Sequence, residues 1–81
     1  MRIDSQNVRK AIVDLELMTS ADKLQDDVPL QEQGMDSLDM ANLLLHFEES
    51  CGVRIPDAEA EKVHCIREIV DVVNAKLGSA A

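Results

Sequence analysis

A serine between two aspartates is the part of this sequence best suited to chemistry. Ser37 lies in residues 34–40, which read Gly-Met-Asp-Ser-Leu-Asp-Met. Asp36 and Asp39 have the spacing of a helix N-cap and its N3 partner, so Ser37 is predicted to be the first residue of a helix. A hydroxyl there is near the positive end of the helix dipole and near unpaired N–H groups, which favour a phosphate. A phosphoester on Ser37 is therefore well placed, although capping alone also explains an Asp-Ser pair.

A serine can also be a catalytic nucleophile when a base lies within hydrogen-bond reach. His46 falls on the same predicted helix, about 180° around the axis and about 13 Å along it, so it cannot reach Ser37. Nothing in the sequence directs His64 toward Ser37, and no Gly-x-Ser-x-Gly nucleophile elbow is present. The sequence therefore predicts no catalytic residues and no enzymatic activity.

Metal binding is not indicated by the residues that could supply ligands. Cys51, His64 and Cys65 lack the paired Cys-x-x-Cys spacing of a structural zinc site. The acidic residues in 22–27 do not match the calcium-loop pattern. We therefore expect no metal site.

The net charge is unevenly distributed along the chain. The total is −8, and residues 22–61 alone hold eleven acids and two bases, a balance of −9. A field of this sign repels nucleic acid and anionic membranes and attracts basic protein surfaces. We expect neither a nucleic-acid nor a membrane partner. A purely solubilising role for the charge is the alternative.

The chain shows no apolar run of signal-peptide or membrane-span length. We therefore expect a cytoplasmic protein. We also expect it to be a monomer. In that compartment both cysteines, Cys51 and Cys65, are expected to stay reduced.

Hydrophobic periodicity and helix-ending residues predict an all-α fold, a small four-helix bundle with a long first loop. Its three main helices and one short helix are predicted at 4–18, 37–50, 57–61 and 65–77. The loop at 19–33 contains Pro29, which argues against a continuous helix. A single domain is expected over residues 1–77, followed by a flexible tail at 78–81.

Apolar residues at helical spacing identify the faces expected to form the core. On the first helix they are Val8, Ala11, Ile12 and Leu15; on the second, Met40, Leu43, Leu44, Phe47 and Cys51; on the last, Ile66, Ile69, Val70 and Val73, with Leu77 near its end. Phe47 is the single aromatic residue, so this core is predicted to be more deformable than usual and able to admit another group.

Two leucines of the second helix fall outside its core face. Leu38 and Leu45 lie about 80–100° around the axis from Ser37, on the side predicted to face solvent. With Glu48 and Glu49 they form a mixed apolar and acidic strip. Such a strip suits docking to a basic partner that has a shallow apolar pocket.

The residues described so far resemble the attachment motif of the acyl carrier protein family. The motif is Gly-Met-Asp-Ser-Leu-Asp at 34–39, followed by an acidic amphipathic helix. The likeness continues through Phe-Glu-Glu at 47–49, Gly-Val-Arg-Ile-Pro-Asp at 52–57, Glu-Lys-Val at 61–63 and the last helix. It covers about residues 5–77.

This resemblance implies a four-helix bundle with one short helix and a covalent cofactor, 4'-phosphopantetheine. A separate phosphopantetheinyl transferase would move the arm from coenzyme A to Ser37, beside Asp36 and Leu38, and would supply the missing base. The arm thiol would hold the acyl group as a thioester. The partners implied are acyl-transferring and condensing enzymes with basic docking surfaces, and the residues implied to contact them are Leu38, Asp39, Ala41, Leu45, Glu48 and Glu49.

Two departures from the family pattern bear on the pathway. Asn42 and Cys51 stand where many fatty-acid carriers have Glu and Phe. These departures favour a specialised carrier, while fatty-acid, polyketide and related lipid pathways all stay open. The Gly-Gly-x-Ser form typical of peptidyl carriers is absent.

The alternative function is an unmodified acidic helical adaptor that binds a basic protein.

Overall fold

The computed structural model describes residues 2–79, which form a bundle of α-helices. The helices are α1 (Ser5–Asp14), α2 (Ser37–Cys51), the short α3 (Asp57–Ala60) and α4 (Ile66–Ser79), and a 3-10 helix spans Leu30–Gln33. The predicted all-α bundle of three main helices and one short helix is confirmed. Over the described residues, no helix combines the length and the apolar character needed to cross a membrane.

Helix α1 is shorter than predicted. It ends at Asp14 rather than residue 18, because Glu16 adopts the left-handed conformation with a φ of 59°. That backbone conformation is rare outside glycine and cannot continue a right-handed helix. Leu15, predicted to lie on the core stripe, is instead 36% exposed, and Val13 is 40% exposed.

The other helix boundaries agree with the prediction to within about two residues. Gly52 stops α2 in the left-handed conformation, with a φ of 66°. Helix α4 continues through Ser79, so it includes Gly78, where the flexible tail was expected to begin. Residues 80 and 81 of that predicted tail, and Met1, lie outside the described part of the chain.

The core lies where the apolar faces of α1, α2 and α4 meet. The largest completely buried side chains are Val8, Ile12, Leu30, Leu43, Ile66, Ile69 and Val73. Met40, Leu44 and Phe47 are also buried, so the predicted stripe of α2 is confirmed, apart from the half-buried Cys51. Helix α3 contributes no buried residue, although its Ala60 is partly buried against the core.

The long first loop is fixed to the bundle by burial and by ion pairs. Leu24 is buried, and the carboxylate of Asp26 pairs with the Arg9 guanidinium on α1. From α4, Arg67 Nε contacts Asp27 Oδ1 at 2.9 Å, and the Arg67 N–H donates to the Asp26 carbonyl at 3.0 Å. The loop therefore holds a defined position before it enters α2.

Candidate functional site

A reciprocal capping box fixes the start of α2. The Asp39 N–H donates to Asp36 Oδ1 at 2.8 Å, and the Asp36 N–H donates to Asp39 Oδ2 at 3.3 Å. Asp36 is the N-cap, with an extended backbone at φ −103°. Ser37 is consequently the first residue of α2, as the sequence predicts.

The Ser37 hydroxyl is accessible from solvent. Its residue is exposed, and its Oγ accepts a hydrogen bond from Gln31 Nε2 at 3.2 Å. Sequence reasoning missed Gln31, because the contact joins α2 to a 3-10 helix that was not predicted. The hydroxyl is thus placed at a helix N-terminus, where an anionic substituent is favoured by the free N–H groups of the first turn.

The two histidines occupy different sides of α2. The His46 ring packs edge-on against Phe47, with 5.2 Å between ring centroids, and it lines a cleft between α1 and α2. His64 lines the same cavity as Ser37, and its backbone N–H donates to Glu68 Oε1 at 2.8 Å. The sequence excluded His46 correctly but gave no sign that His64 shares the cavity with Ser37.

A cavity of about 370 Å³ opens beside Ser37, between α2, α3 and the 3-10 helix. Its lining contains both apolar and polar side chains. The apolar lining residues are Pro29, Met40, Ala41, Leu44, Ala60 and Val63, and the polar ones are Gln31, Ser37, Asp57, Glu61 and His64. A flexible group attached to Ser37 can therefore either extend into solvent or fold back into this cavity.

The residues predicted to form a docking strip lie on α2, and most of them are exposed. Leu38 is 68% exposed and Leu45 is 51% exposed. Ala41 and Glu49 are also exposed, and Glu48 is half-buried. Asp39 differs from the others, because it is half-buried and its carboxylate completes the capping box.

The remaining candidate ligands do not assemble. Cys51 is half-buried and Cys65 is buried, and both thiols are free. Across residues 2–79, no group of three or more His, Cys, Asp or Glu side chains is positioned to hold a metal ion.

Comparison with known proteins decides the family. The model of the family described as "Phosphopantetheine attachment site" matches residues 8–73, which is most of the chain. The chain belongs to this family. Its cofactor is 4'-phosphopantetheine, and its role is that of a carrier rather than of an enzyme.

Solved acyl carrier proteins share the fold over nearly their whole length. The acetyl actinorhodin acyl carrier protein from Streptomyces coelicolor is 31% identical, with a TM-score of 0.75, and the alignment covers 98% of this chain and 95% of that one. The actinorhodin holo acyl carrier protein from S. coelicolor is 30% identical, with a TM-score of 0.82 and coverage of 100% and 98%. An acyl carrier protein from Thermotoga maritima, 24% identical, matches in fold with a TM-score of 0.82 and coverage of 94% and 88%.

Proposed function

We propose that the phosphopantetheine arm of this carrier is attached to Ser37 Oγ. The observation that supports this assignment most strongly is an exposed serine hydroxyl on the first residue of α2, inside the region matched by the attachment-site family. The arm's terminal thiol supplies the chemistry, since it carries the acyl group as a thioester.

The surroundings of Ser37 fit a phosphodiester. The capping box of Asp36 and Asp39 holds the serine at the helix start, where backbone N–H groups and the helix dipole favour an anion. Solvent exposure leaves room for the coenzyme A and the active site of a transferase. Gln31 donates to the oxygen and is not a base, and we propose that a group on the transferase takes the hydroxyl proton.

The outer face of α2 is proposed to dock partner enzymes. Exposed Leu38 and Leu45 supply apolar contact, and Glu48 and Glu49 attract basic surfaces. The partners we propose are the phosphopantetheinyl transferase and the acyl-transferring and condensing enzymes that use the loaded arm. A monomeric, cytoplasmic carrier remains our prediction.

We propose polyketide or related specialised lipid synthesis as the pathway, in preference to housekeeping fatty-acid synthesis. The departures at Asn42 and Cys51 support this choice. So does the similarity to carriers of the actinorhodin polyketide synthase of S. coelicolor, one of which, a hexanoyl form, is 28% identical with a TM-score of 0.84.

Arm loading tests the assignment of Ser37. Unmodified wild type, Ser37→Ala and Ser50→Ala are incubated with coenzyme A and a phosphopantetheinyl transferase, and their intact masses are measured. Ser50 is a matched control, because it is an exposed serine at the opposite end of α2. We expect wild type and Ser50→Ala to gain the mass of one arm and Ser37→Ala to gain nothing.

Two outcomes would contradict the proposal. A mass gain that persists in Ser37→Ala would place the arm on another residue. No gain in the wild type with an active transferase would favour the unmodified adaptor, in which Asp36 and Ser37 only begin the helix.

A further inference from the structure

Gln31 is a residue outside α2 that contacts the proposed attachment oxygen. Its Nε2 donates a hydrogen bond to Ser37 Oγ over 3.2 Å. Gln31 belongs to the 3-10 helix, and both residues are exposed and line the same cavity. The contact therefore joins the first loop to the start of α2, at the point where an arm would leave the protein.

The backbone that presents Gln31 is held in place. The preceding residue, Leu30, is completely buried, and its N–H donates to the His64 carbonyl at 2.8 Å. The Leu30 carbonyl accepts from the Met35 N–H at 3.1 Å, and Gly34 ends the 3-10 helix with a φ of 107°. The side chain of Gln31 itself is exposed, so its amide can reorient without disturbing the core.

A phosphodiester on Ser37 would enter a region rich in negative charge. The carboxylates of Asp36 and Asp39 flank the serine, and Asp57 lines the cavity. Like charges repel, so N–H donors are needed to stabilise the anion. The Gln31 amide supplies such a donor, and hydrogen bonds to an ionised acceptor are stronger than those to a neutral hydroxyl.

We propose that Gln31 is a positioning residue for the arm. In the unmodified protein its side-chain amide donates to the Ser37 hydroxyl oxygen. Once that oxygen is esterified it becomes a poorer acceptor, and the amide transfers its hydrogen bond to an anionic phosphodiester oxygen next to it. This contact fixes the phosphodiester end of the arm beside the cavity. The inference rests on the proposed attachment to Ser37.

Phosphorus NMR of the loaded protein tests this contact. Wild type, Gln31→Ala, Gln31→Glu and Gln6→Ala are loaded to completion, and intact mass establishes that each carries one arm. Gln31→Glu preserves the shape of the side chain but replaces the donor. Gln6 is the matched control, because it is an exposed glutamine on α1 that lines a different cleft.

We expect the phosphodiester resonance of both Gln31 variants to be displaced from that of wild type, and that of Gln6→Ala to coincide with it. In the wild type, the proton signal of the Gln31 side-chain amide should move downfield on loading. Coincident resonances in the Gln31 variants, an equal displacement in Gln6→Ala, or an unmoved amide signal would each overturn the inference. Failure of the wild type to accept an arm would instead overturn the attachment to Ser37.

Discussion

The start of α2 is specified by neighbouring residues. Asp36, Ser37 and Asp39 were predicted from their spacing, because a capping box needs only contacts within one helical turn. Gln31 was not predicted, since its contact with Ser37 depends on how the loop folds back onto α2. His64 lines the same cavity, and its backbone carbonyl accepts from the Leu30 N–H, which is also a contact between distant parts of the chain. The site residues within one helical turn could be predicted from the sequence. Those that reach the site from distant parts of the chain could not.

The capping box makes a prediction about stability. Asp36→Ala removes the acceptor for the Asp39 N–H, and loss of an N-cap side chain costs about 1 kcal/mol in the free energy of unfolding. Asp36→Asn keeps an acceptor and should cost less. Urea unfolding measures both values.

Asp22→Ala is the control for this prediction, because Asp22 is an exposed aspartate of the first loop and should leave stability unchanged. If Asp36→Ala is as stable as Asp36→Asn, the side chain of residue 36 does not stabilise α2.

At the scale of elements, periodicity predicted the helices, and local backbone conformation decided where they end. The apolar stripes of α2 and α4 were recognised, because burial of one face repeats every three to four residues. The early end of α1 could not be predicted, since Glu16 has no sequence property that requires a positive φ. The 3-10 helix was missed because its single buried residue, Leu30, gives no periodic pattern.

The position of α3 leads to a prediction about cargo. Helix α3 has no buried residue, but its Ala60 lines the cavity. The helix is also held to α4, because the Lys76 ammonium contacts Glu59 Oε2 at 2.7 Å. We expect a long acyl chain on the arm to enter the cavity, because burial of apolar surface is favourable and aliphatic linings adapt their shape.

Methyl NMR spectra of the holo and long-acyl forms measure this entry. The methyl signals of the cavity residues Met40, Leu44 and Val63 should shift between the two forms. Those of Val13 should not, because Val13 is an exposed residue of α1 that does not line the cavity. Unchanged cavity signals would show that the acyl chain stays in solvent.

The distribution of charge over the whole molecule was predicted from the sequence. The structure shows that part of this negative charge lies on α2. The formal net charge of −8 is concentrated in residues 22–61, a segment that includes α2 and α3. The exposed leucines of α2 lie beside acids, which gives one face both apolar and electrostatic complementarity to a basic partner.

Charge reversal tests this surface. Glu48→Lys should weaken binding to the purified phosphopantetheinyl transferase by about two- to fivefold, the range expected for loss of one surface ion pair. Raising the salt concentration should weaken the wild-type complex as well, because dissolved ions screen the attraction between surface charges. Titration calorimetry measures both effects.

Asp71→Lys is the matched control for charge, since it reverses an exposed acid on α4, away from the docking strip. An equal loss in both variants would indicate that only net charge matters. An affinity unaffected by Glu48→Lys and by salt would mean that the strip is an ordinary solvated face.

The most direct test is fragment-ion mass spectrometry of the protein purified from its native host. It shows whether the arm is attached to Ser37, the first residue of α2. We expect that fragments containing Ser37 carry the mass of phosphopantetheine, with or without an acyl group, and that all other fragments have their unmodified masses. An arm located on any other residue would contradict it, and so would a chain that remains unmodified when an active transferase is co-produced.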